Sequence, residues 1–335
     1  MNSNDDADPL AGWAVSGAEQ DINSSILYLT DGLLKEQLLY DESLITEHTK
    51  VNKSVIFFLD EVHERSINID LCLSFLARLL DREPHLRSKM KLIISSATLD
   101  TSVPTLFRQI NRLQFAEFTM PKLGTLYPVT KHQQPNTNLL TLVQELNKKR
   151  KANEQILCFV SSTSDVRVSC RLLQEISSGN IVAYPLIQSQ SAREQQMYIA
   201  QGNIFFSTTV AETSLTFPYL RYVIDTGMIN LPIYDFKSQQ TVLQTVRAAD
   251  STIKQRLGRL GRTQPGDYYA LYDFKVDEMK YPTPHICQSE LTNIELSLRK
   301  SPAQEGLNEI KRYLPNQPSQ HATDLALKKL RHFGM

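Results

Sequence analysis

Apolar runs that end in short polar motifs restrict the fold of this chain more than any other feature. Val55–Leu59 (VIFFL) is continuously apolar and leads into Asp60 and Glu61, and 91–95 (KLIIS) leads into Ser96 and Thr98. Such runs are typical of strands that are buried on both faces of a parallel sheet. Between them, apolar residues recur at helical spacing over 69–80, which indicates an amphipathic helix. The pattern predicts a strand–helix–strand unit with polar residues at the carboxyl ends of its strands.

A second series of strands and helices follows in the C-terminal half. The sequence predicts helices over about 139–149, 166–176 and 251–260, and strands over 155–160, 203–207 and 219–224. Both halves repeat a strand–crossover–strand pattern, so the predicted fold class is α/β with two doubly wound parallel-sheet lobes. The predicted boundaries are a first lobe over 1–121, a proline-containing linker over 122–138, a second lobe over 139–275 and a small helical unit over 276–335.

Composition and charge exclude several classes of protein. A length of 335 residues favours about two domains, and 41% hydrophobic with 21% charged residues is ordinary for a globular protein. The 36 Lys and Arg residues balance the 36 Asp and Glu residues, so a strongly basic nucleic-acid footprint is absent. Any nucleic-acid contact is therefore expected to use backbone amides and hydroxyl groups rather than bulk positive charge.

Signals for targeting, membrane insertion and structural metals are also absent from the sequence. The four cysteines are far apart and form no C-x-x-C pair, which indicates reduced thiols rather than a disulfide or zinc framework. The polar, acidic N-terminus does not resemble a secretory or mitochondrial leader. No apolar run approaches the roughly 18 residues that a membrane span needs. The sequence predicts an intracellular protein of the nucleus or the cytoplasm.

The Asp60-Glu61 pair lies where open α/β sheets bind their ligands, beyond the carboxyl end of a strand. In that position Asp60 is a candidate to hold Mg²⁺ through water, and Glu61 is a candidate to orient or deprotonate the water that attacks a nucleoside triphosphate. Strand ends also commonly carry solvated acids, so this pair alone does not establish catalysis.

The motif QRLGRLGR at 255–262 supplies the complementary positive charge. Gln255, Arg259 and Arg262 are spaced i, i+4 and i+7, so a helix would present all three on one face. Guanidinium groups bind phosphate oxygens bidentately, and the motif contains no acid. An anion site and a solvated basic helix are the two interpretations that the motif leaves open. In phosphoryl transfer, a supplied arginine accelerates hydrolysis by roughly three to five orders of magnitude.

The glycine loop that normally cradles phosphates, G-x-x-x-x-G-K-[ST], does not occur in this sequence. None of the twelve glycines is followed by lysine. Gly12 and Gly17 have the right spacing, but Ala18 and Glu19 follow where Lys and Ser or Thr are needed.

Taken together, the motifs resemble those of the DEAH-box (DEAH/RHA) group of superfamily 2 RNA helicases. DEVHERS at 60–66 is similar to the family's DEAHERS, with Val62 in place of Ala. The tail from Gln288 resembles the start of the family's winged-helix region. Five further segments carry the resemblance: TDGLLKE at 30–36, IISSATLD at 93–100, STTVAETSLT at 207–216, YVIDTG at 222–227 and QRLGRLGRTQPG at 255–266.

The resemblance implies two RecA-like lobes, the first N-terminally truncated, followed by the start of a winged-helix region. It also implies ATP or another NTP with Mg²⁺ in a cleft between the lobes, and RNA, single-stranded or duplex, across the top. Carried over motif by motif, the resemblance assigns metal binding and water activation to Asp60 and Glu61, coupling of this site to the other lobe to His63, and a link between hydrolysis and lobe movement to Ser96 and Thr98. It assigns γ-phosphate contacts to Gln255, Arg259 and Arg262, positions near the nucleotide to Asp225 and Gly227, and base stacking to Tyr198. RNA backbone contacts are assigned to Thr30, Asp31, Gly32, Ser161 and Thr208.

Three hypotheses remain open at this point. The first is an ATP-dependent RNA helicase of which this chain is a fragment, lacking the glycine loop and a strand inside the first sheet. Loss of that strand is expected to expose apolar faces and to leave the first lobe poorly stable. The second is a non-hydrolysing RNA-binding or scaffolding relative. The third is a viral polyprotein helicase of the same superfamily, which fits the TDGLLKE and winged-helix segments less well.

Overall fold

The computed structural model describes residues 10–41, 54–119, 125–212, 215–275, 278–332 and 334. These residues form two compact units. The first unit draws on the ranges 1–117, 234–241 and 283–335, and the second draws on 118–233 and 242–282. None of the described helices is long and apolar enough to cross a membrane.

A three-stranded sheet opens the first unit, with the strand order β2-β1-β3. Its strands are β1 (Ala11–Val15), β2 (Ala18–Gln20) and β3 (Ile26–Leu29). A two-residue turn joins β1 to β2, and Gly17 adopts φ +83° there, a value that glycine reaches without a steric penalty. Gly12 and Gly17 therefore lie in a hairpin and do not form a loop that leads into a helix.

The predicted strand–helix–strand unit follows and is confirmed. It consists of β4 (Val55–Leu59), α2 (Ile67–Arg82) and β5 (Met90–Ile94), after α1 (Asp31–Tyr40) and before α3 (Ser102–Arg108). β4 and β5 pair in parallel. The Ser66 side chain caps α2 by accepting a hydrogen bond from the Ile69 N–H group, which satisfies a backbone donor that the helix itself leaves unpaired.

Only one face of the β4–β5 pair is buried. Phe57 and Leu59 pack into the core, whereas Ile56 and Phe58 are each 60% exposed. Ile93, which lies beside Phe58 in the parallel register, is 45% exposed. The prediction that β4 is buried on both faces is therefore wrong for the described part of the chain. The expectation of an exposed apolar face on the first lobe agrees with what is observed.

A six-stranded parallel sheet with the order β6-β13-β10-β7-β9-β8 dominates the second unit. β6 (Val129–Gln133) lies within the predicted linker, and its polar sequence fits its position at the edge of this sheet. The other strands are β7 (Gln155–Phe159), β8 (Tyr184–Leu186), β9 (Ile204–Ser207), β10 (Leu220–Asp225) and β13 (Gly266–Ala270), and the helices are α4 (Leu139–Lys149), α5 (Thr163–Ile176), α6 (Ala192–Gln201) and α7 (Asp250–Leu257).

The strands β11 (Met228–Asp235) and β12 (Gln240–Arg247) form a separate two-stranded sheet that the sequence analysis did not predict. Residues 234–241, which comprise the end of β11, the connecting residues and the start of β12, belong to the first unit.

The C-terminal helices belong to the first unit, although the sequence suggests a small third unit. They are α8 (Thr292–Lys300), α9 (Leu307–Ile310) and α10 (Gln320–His332). Leu298, Leu307, Ile310 and Ala326 belong to the same hydrophobic cluster as the apolar face of α2. The C-terminal segment is therefore part of the core on which β4 and β5 rest.

Candidate functional site

Asp60 and Glu61 lie directly beyond β4, as predicted, and both side chains are exposed. The Asp60 carboxylate accepts a hydrogen bond from the Glu61 N–H group at 2.9 Å. Glu61 adopts φ +52°, and the 3₁₀ turn Val62–Glu64 follows it and ends at Arg65, which adopts φ +48°. A left-handed backbone is costly for residues other than glycine, so two such residues in one turn indicate that the surrounding structure fixes its shape.

His63 and Thr98 present buried polar atoms without hydrogen-bond partners among the described residues. The His63 side chain is 7% exposed, and its Nδ1 atom lies 3.2 Å from the Glu61 carboxylate, an ion-pair distance without hydrogen-bond geometry. The Thr98 hydroxyl is also without a partner, whereas the Ser96 hydroxyl donates to the Thr98 carbonyl oxygen at 2.9 Å. Because unpaired buried polar groups cost free energy, both side chains are suited to contact a ligand or another surface.

The donor set at the end of β4 fits Mg²⁺. Among the described residues, no group of three or more His, Cys, Asp or Glu side chains could hold a metal ion alone. Mg²⁺ is usually bound through one or two carboxylates together with waters and substrate phosphates. Asp60 and Glu61 supply two exposed carboxylates of that kind.

The positive motif of the second unit departs from its predicted geometry. α7 ends at Leu257, and Gly258 is its C-cap, so Arg259 and Arg262 do not lie on a helix with Gln255. Gly261 adopts φ +71°, which ends any helical continuation. The prediction of one helical face is wrong because these two glycines favour a turn over a helix.

Within that turn, the predicted arginines differ in their surroundings. The Arg259 guanidinium donates to the carbonyl oxygens of Leu215, at 3.1 Å, and of Glu212. Arg262 is exposed, and its Nε atom donates to the Gly258 carbonyl oxygen at 2.8 Å. Gln255 is half-buried. Arg259 thus ties the 207–216 segment to the turn, and Arg262 points a cation toward solvent.

Asp225 was predicted near a nucleotide, but its carboxylate is fully buried and occupied by protein groups. It accepts hydrogen bonds from Arg256 at 2.6 Å, from the Tyr268 hydroxyl at 2.5 Å and from the Gly227 N–H group at 2.7 Å. Burial first, then the Asp225 carboxylate, raises the pKa of Tyr268 well above its usual range. These contacts give Asp225 a structural role, and its proximity to nucleotide stays a prediction.

Arg256 lies at the centre of this network and was not among the predicted site residues. It is fully buried, and its Nε atom donates to Glu212 at 2.7 Å. Its guanidinium also lies 4.9 Å from the centre of the Phe159 ring. Burial alone would lower the pKa of Arg256, but attraction to Asp225 and Glu212 outweighs it and the pKa is raised. The available sequence signal was that Glu212 and Asp225 each follow apolar residues, since acids that become buried need a cation to neutralise them.

Gly227 and Tyr198 are both placed by packing. Gly227 adopts φ +70°, and a Cβ atom there would lie 2.7 Å from Cγ of Tyr272 and 2.9 Å from Cζ of Phe274. Tyr198 is half-buried on α6, where its hydroxyl donates to Glu194 at 3.0 Å and its ring tilts against that of Tyr184. No contact in the described residues tests the predicted base stacking, which stays a prediction.

The predicted RNA-contacting residues fall into two groups, one on each unit. Thr30 caps α1, and Asp31 accepts hydrogen bonds from the Gly32 N–H group at 2.7 Å and the Ser66 hydroxyl at 2.8 Å. Ser161 and Thr208 follow the paired strands β7 and β9, so they lie at the same carboxyl edge of the six-stranded sheet. These positions are compatible with backbone contacts to RNA but do not test them.

Comparison with known proteins identifies the family. Residues 137–264 match the helicase conserved C-terminal domain. The chain is 30% identical over 272 residues to the Arabidopsis thaliana ATP-dependent RNA helicase DEAH12, and 29% identical over 294 residues to the Escherichia coli ATP-dependent RNA helicase HrpA. The chain belongs to the DEAH-box (DEAH/RHA) helicase family.

The structural comparison confirms the RecA-like fold class. The crystal structure of the Escherichia coli DEAH/RHA helicase HrpB superposes with a TM-score of 0.73 at 24% identity. That match covers 97% of this DEAH-box chain and 41% of the HrpB chain. The alignments cover 76% and 82% of this chain but 14% of DEAH12 and 21% of HrpA, so the chain spans a minor part of its relatives.

Proposed function

We propose that this DEAH-box chain carries part of an ATP-dependent RNA helicase, in which NTP hydrolysis is coupled to binding or unwinding of RNA. One observation carries the proposal: the charged residues of the motifs separate into two classes. Arg65, Arg256 and Asp225 are buried and fully engaged with neighbouring side chains, whereas Asp60, Glu61 and Arg262 are exposed. The exposed charges are therefore the ones that remain free to contact a substrate.

The acidic motif supports a role in water activation. We assign Mg²⁺ binding to Asp60 and Glu61, where the ion would supply charge neutralisation of the triphosphate. Glu61 would orient or deprotonate the attacking water. His63, whose ring nitrogens lack hydrogen-bond partners among the described residues, would respond to the bound nucleotide together with Ser96 and Thr98.

The turn after α7 supports a role in charge stabilisation. Arg262 and Arg259 would contact the γ-phosphate with Gln255, since guanidinium groups match phosphate oxygens bidentately. Arg259 also donates hydrogen bonds to the carbonyl oxygens of Glu212 and Leu215, so its reach toward a phosphate would depend on whether these bonds are kept.

RNA contacts would use the two groups of polar residues described above. The N-terminus of α1, with Thr30, Asp31 and Gly32, and the edge that carries Ser161 and Thr208 both offer backbone amides and hydroxyls. Such groups hold a phosphate backbone without reading sequence, which suits a chain with no net charge.

Steady-state NTP turnover with Mg²⁺, measured with and without single-stranded RNA, tests the proposal on the parent chain, two site variants and one control variant. Glu61→Gln is expected to abolish turnover while RNA binding persists. Arg262→Ala is expected to reduce turnover by about three to five orders of magnitude. Arg171→Ala, which changes an exposed arginine on α5, should leave turnover within twofold. Turnover that survives Glu61→Gln would refute the assigned chemistry.

A non-hydrolysing RNA-binding protein is the second candidate function. The G-x-x-x-x-G-K-[ST] sequence, which normally supplies the amides and the lysine that hold the phosphates, does not occur among these 335 residues. This function predicts that the parent chain binds RNA without NTP turnover, and that Glu61→Gln and Arg262→Ala bind RNA with equal affinity. Addition in trans of a peptide that carries the loop would not be expected to restore hydrolysis in that case.

A further inference from the structure

Arg65 is the most completely engaged side chain near the acidic motif. A guanidinium has five N–H donors, and each of those of Arg65 has an acceptor. Nε and Nη2 donate to the two oxygens of Asp70, at 2.8 and 3.3 Å, and Nη1 donates to Asp100 at 2.8 Å and to Ser102 at 3.2 Å. The fifth donor, on Nη2, contacts Oδ1 of Asn316 at 2.6 Å.

These acceptors come from separate segments of the first unit. Asp70 lies on α2, Asp100 and Ser102 lie in the loop that follows β5 and at the start of α3, and Asn316 lies in the C-terminal segment 283–335. The Asn316 side-chain oxygen also accepts a hydrogen bond from the Ser102 hydroxyl at 2.9 Å. Arg65 therefore joins the acidic motif to the loop that follows β5, which carries Ser96 and Thr98, and to the loop between α9 and α10.

The backbone of Arg65 makes a second connection to the same C-terminal segment. Its carbonyl oxygen accepts a hydrogen bond from the His285 N–H group at 3.2 Å, and its own N–H group donates to Val62 across the 3₁₀ turn at 3.3 Å. The C-terminal segment thus holds Arg65 at both ends, through Asn316 at the guanidinium and His285 at the peptide group.

Burial makes these contacts specific. Arg65 is 3% exposed and Asp70 is inaccessible to solvent, so water has little access to replace these hydrogen bonds. One guanidinium faces two carboxylates, and burial, opposed by Arg65, raises the pKa of Asp70. Neutral Ser102 and Asn316 fill the remaining donor positions without adding a third negative charge.

We propose that Arg65 is a positioning residue through which the C-terminal segment fixes the turn that bears Glu61 and His63. Glu61 and Arg65, the two left-handed residues, flank Val62–Glu64, so an anchor at Arg65 restrains the orientation of the whole turn. A backbone conformation of this kind persists where surrounding contacts over-determine it. Any effect of Arg65 on NTP hydrolysis rests on the proposed function, whereas the coupling between the C-terminal segment and the shape of the turn does not.

Hydrogen–deuterium exchange of the full chain, without nucleotide, tests the coupling. Asn316→Ala removes one acceptor of Arg65 and leaves the catalytic motifs unchanged in sequence. We expect at least tenfold faster exchange at the amides of 62–65 and 100–103, since a hydrogen bond to a charged group supports such a factor. Amides in the middle of α2 and α10 should keep their protection. Asn316→Gln, which keeps a neutral amide oxygen as the acceptor, should retain more protection of the turn than Asn316→Ala.

Asn308→Ala is the matched control, because this exposed asparagine lies on α9 in the same segment and contacts Gln320 instead of Arg65. It should leave the 62–65 amides unchanged. The amides of the turn should exchange no faster in the double variant Arg65→Lys with Asn316→Ala than in Arg65→Lys alone, because Asn316 acts through Arg65. If Arg65→Lys does not fold, the variants of Asn316 and Asn308 decide the question.

Unchanged exchange at 62–65 in Asn316→Ala, or a uniform increase across the first unit, would overturn the positioning role. Absence of NTP turnover in the parent chain would count against the proposed function and leave this result untouched.

Discussion

Replacement of Arg256 by methionine tests whether the buried network of the second unit is as strongly coupled as its geometry indicates. The substitution keeps an apolar stem of similar length but removes the cation that Glu212 and Asp225 share. Both carboxylates are almost wholly buried, so water cannot replace the guanidinium at either position. Asp225 retains the Tyr268 hydroxyl and the Gly227 N–H group, whereas Glu212 loses its hydrogen-bonded cation.

The expected loss of unfolding free energy follows from these contacts. Removing one partner of a buried ion pair typically costs about 3–5 kcal/mol, because the other charge is left uncompensated. Asp225 keeps two hydrogen bonds, so we expect about this amount rather than twice as much. A domain is stable by only about 5–15 kcal/mol, so Arg256→Met should lose roughly a fifth or more of the stability of the second unit.

Urea denaturation followed by far-UV circular dichroism measures this loss. The single tryptophan, Trp13, lies in the first unit, so its fluorescence does not report on the network. Arg171→Met is the matched control: Arg171 also pairs with a glutamate, at 3.7 Å, but both side chains are largely exposed. That control should cost no more than about 1 kcal/mol.

The stability lost in Arg256→Met should also depend on pH in a defined direction. Burial already raises the pKa of Glu212 above its ordinary 4.5, and the attraction of Arg256 opposes this rise. Without Arg256 the pKa rises further, so the folded protein holds a proton that the unfolded chain has released. Stability relative to the parent chain then falls as pH increases from 4.5 through the raised pKa. A deficit below about 1 kcal/mol at pH 7, or a larger deficit at pH 5 than at pH 7, would refute the reasoning.

Two further predictions concern backbone strain and the exposed sheet face. Gly227→Ala should destabilise the second unit by about 1–3 kcal/mol in the same urea assay, since alanine would hold a left-handed φ and press on Tyr272; a neutral effect would contradict the packing described. Phe58→Ser should reduce 1-anilinonaphthalene-8-sulfonate binding and self-association while unfolding free energy changes by less than about 1 kcal/mol, whereas Phe57→Ser, one residue away, should cost about 3–5 kcal/mol. Equal effects of the two phenylalanine substitutions would show that the β4 face is not exposed in solution.

Local pattern was enough to predict much of the second unit. The apolar run 155–160 became β7 (Gln155–Phe159), and helical spacing gave α4 (Leu139–Lys149). These elements have strong periodicity and capping residues; Asn138, for example, accepts a hydrogen bond from the Thr141 N–H group. β6 was missed because an edge strand of polar residues carries no apolar signal.

The acids and the basic turn were predicted only in part. Asp60 and Glu61 follow a strand whose apolar run is visible in the sequence. The turn that contains Arg259 and Arg262 was not predicted, because their spacing from Gln255 is compatible with a helix. In the structure, Gly258 and Gly261 end the helix and form a turn instead. Cellular location and the RNA contacts stay predictions.

The sequence by itself determined the family, the α/β class and the motifs that supply the candidate site residues, because these depend on residue type and on short-range spacing. Only the tertiary structure decided which charges of those motifs are structural and which are exposed. Arg65 and Arg262 look alike in the sequence, yet one has five protein acceptors drawn from distant segments and the other faces solvent. The physical reason is that burial and hydrogen bonding depend on what long-range folding brings to each charge, and spacing along the chain does not contain that information.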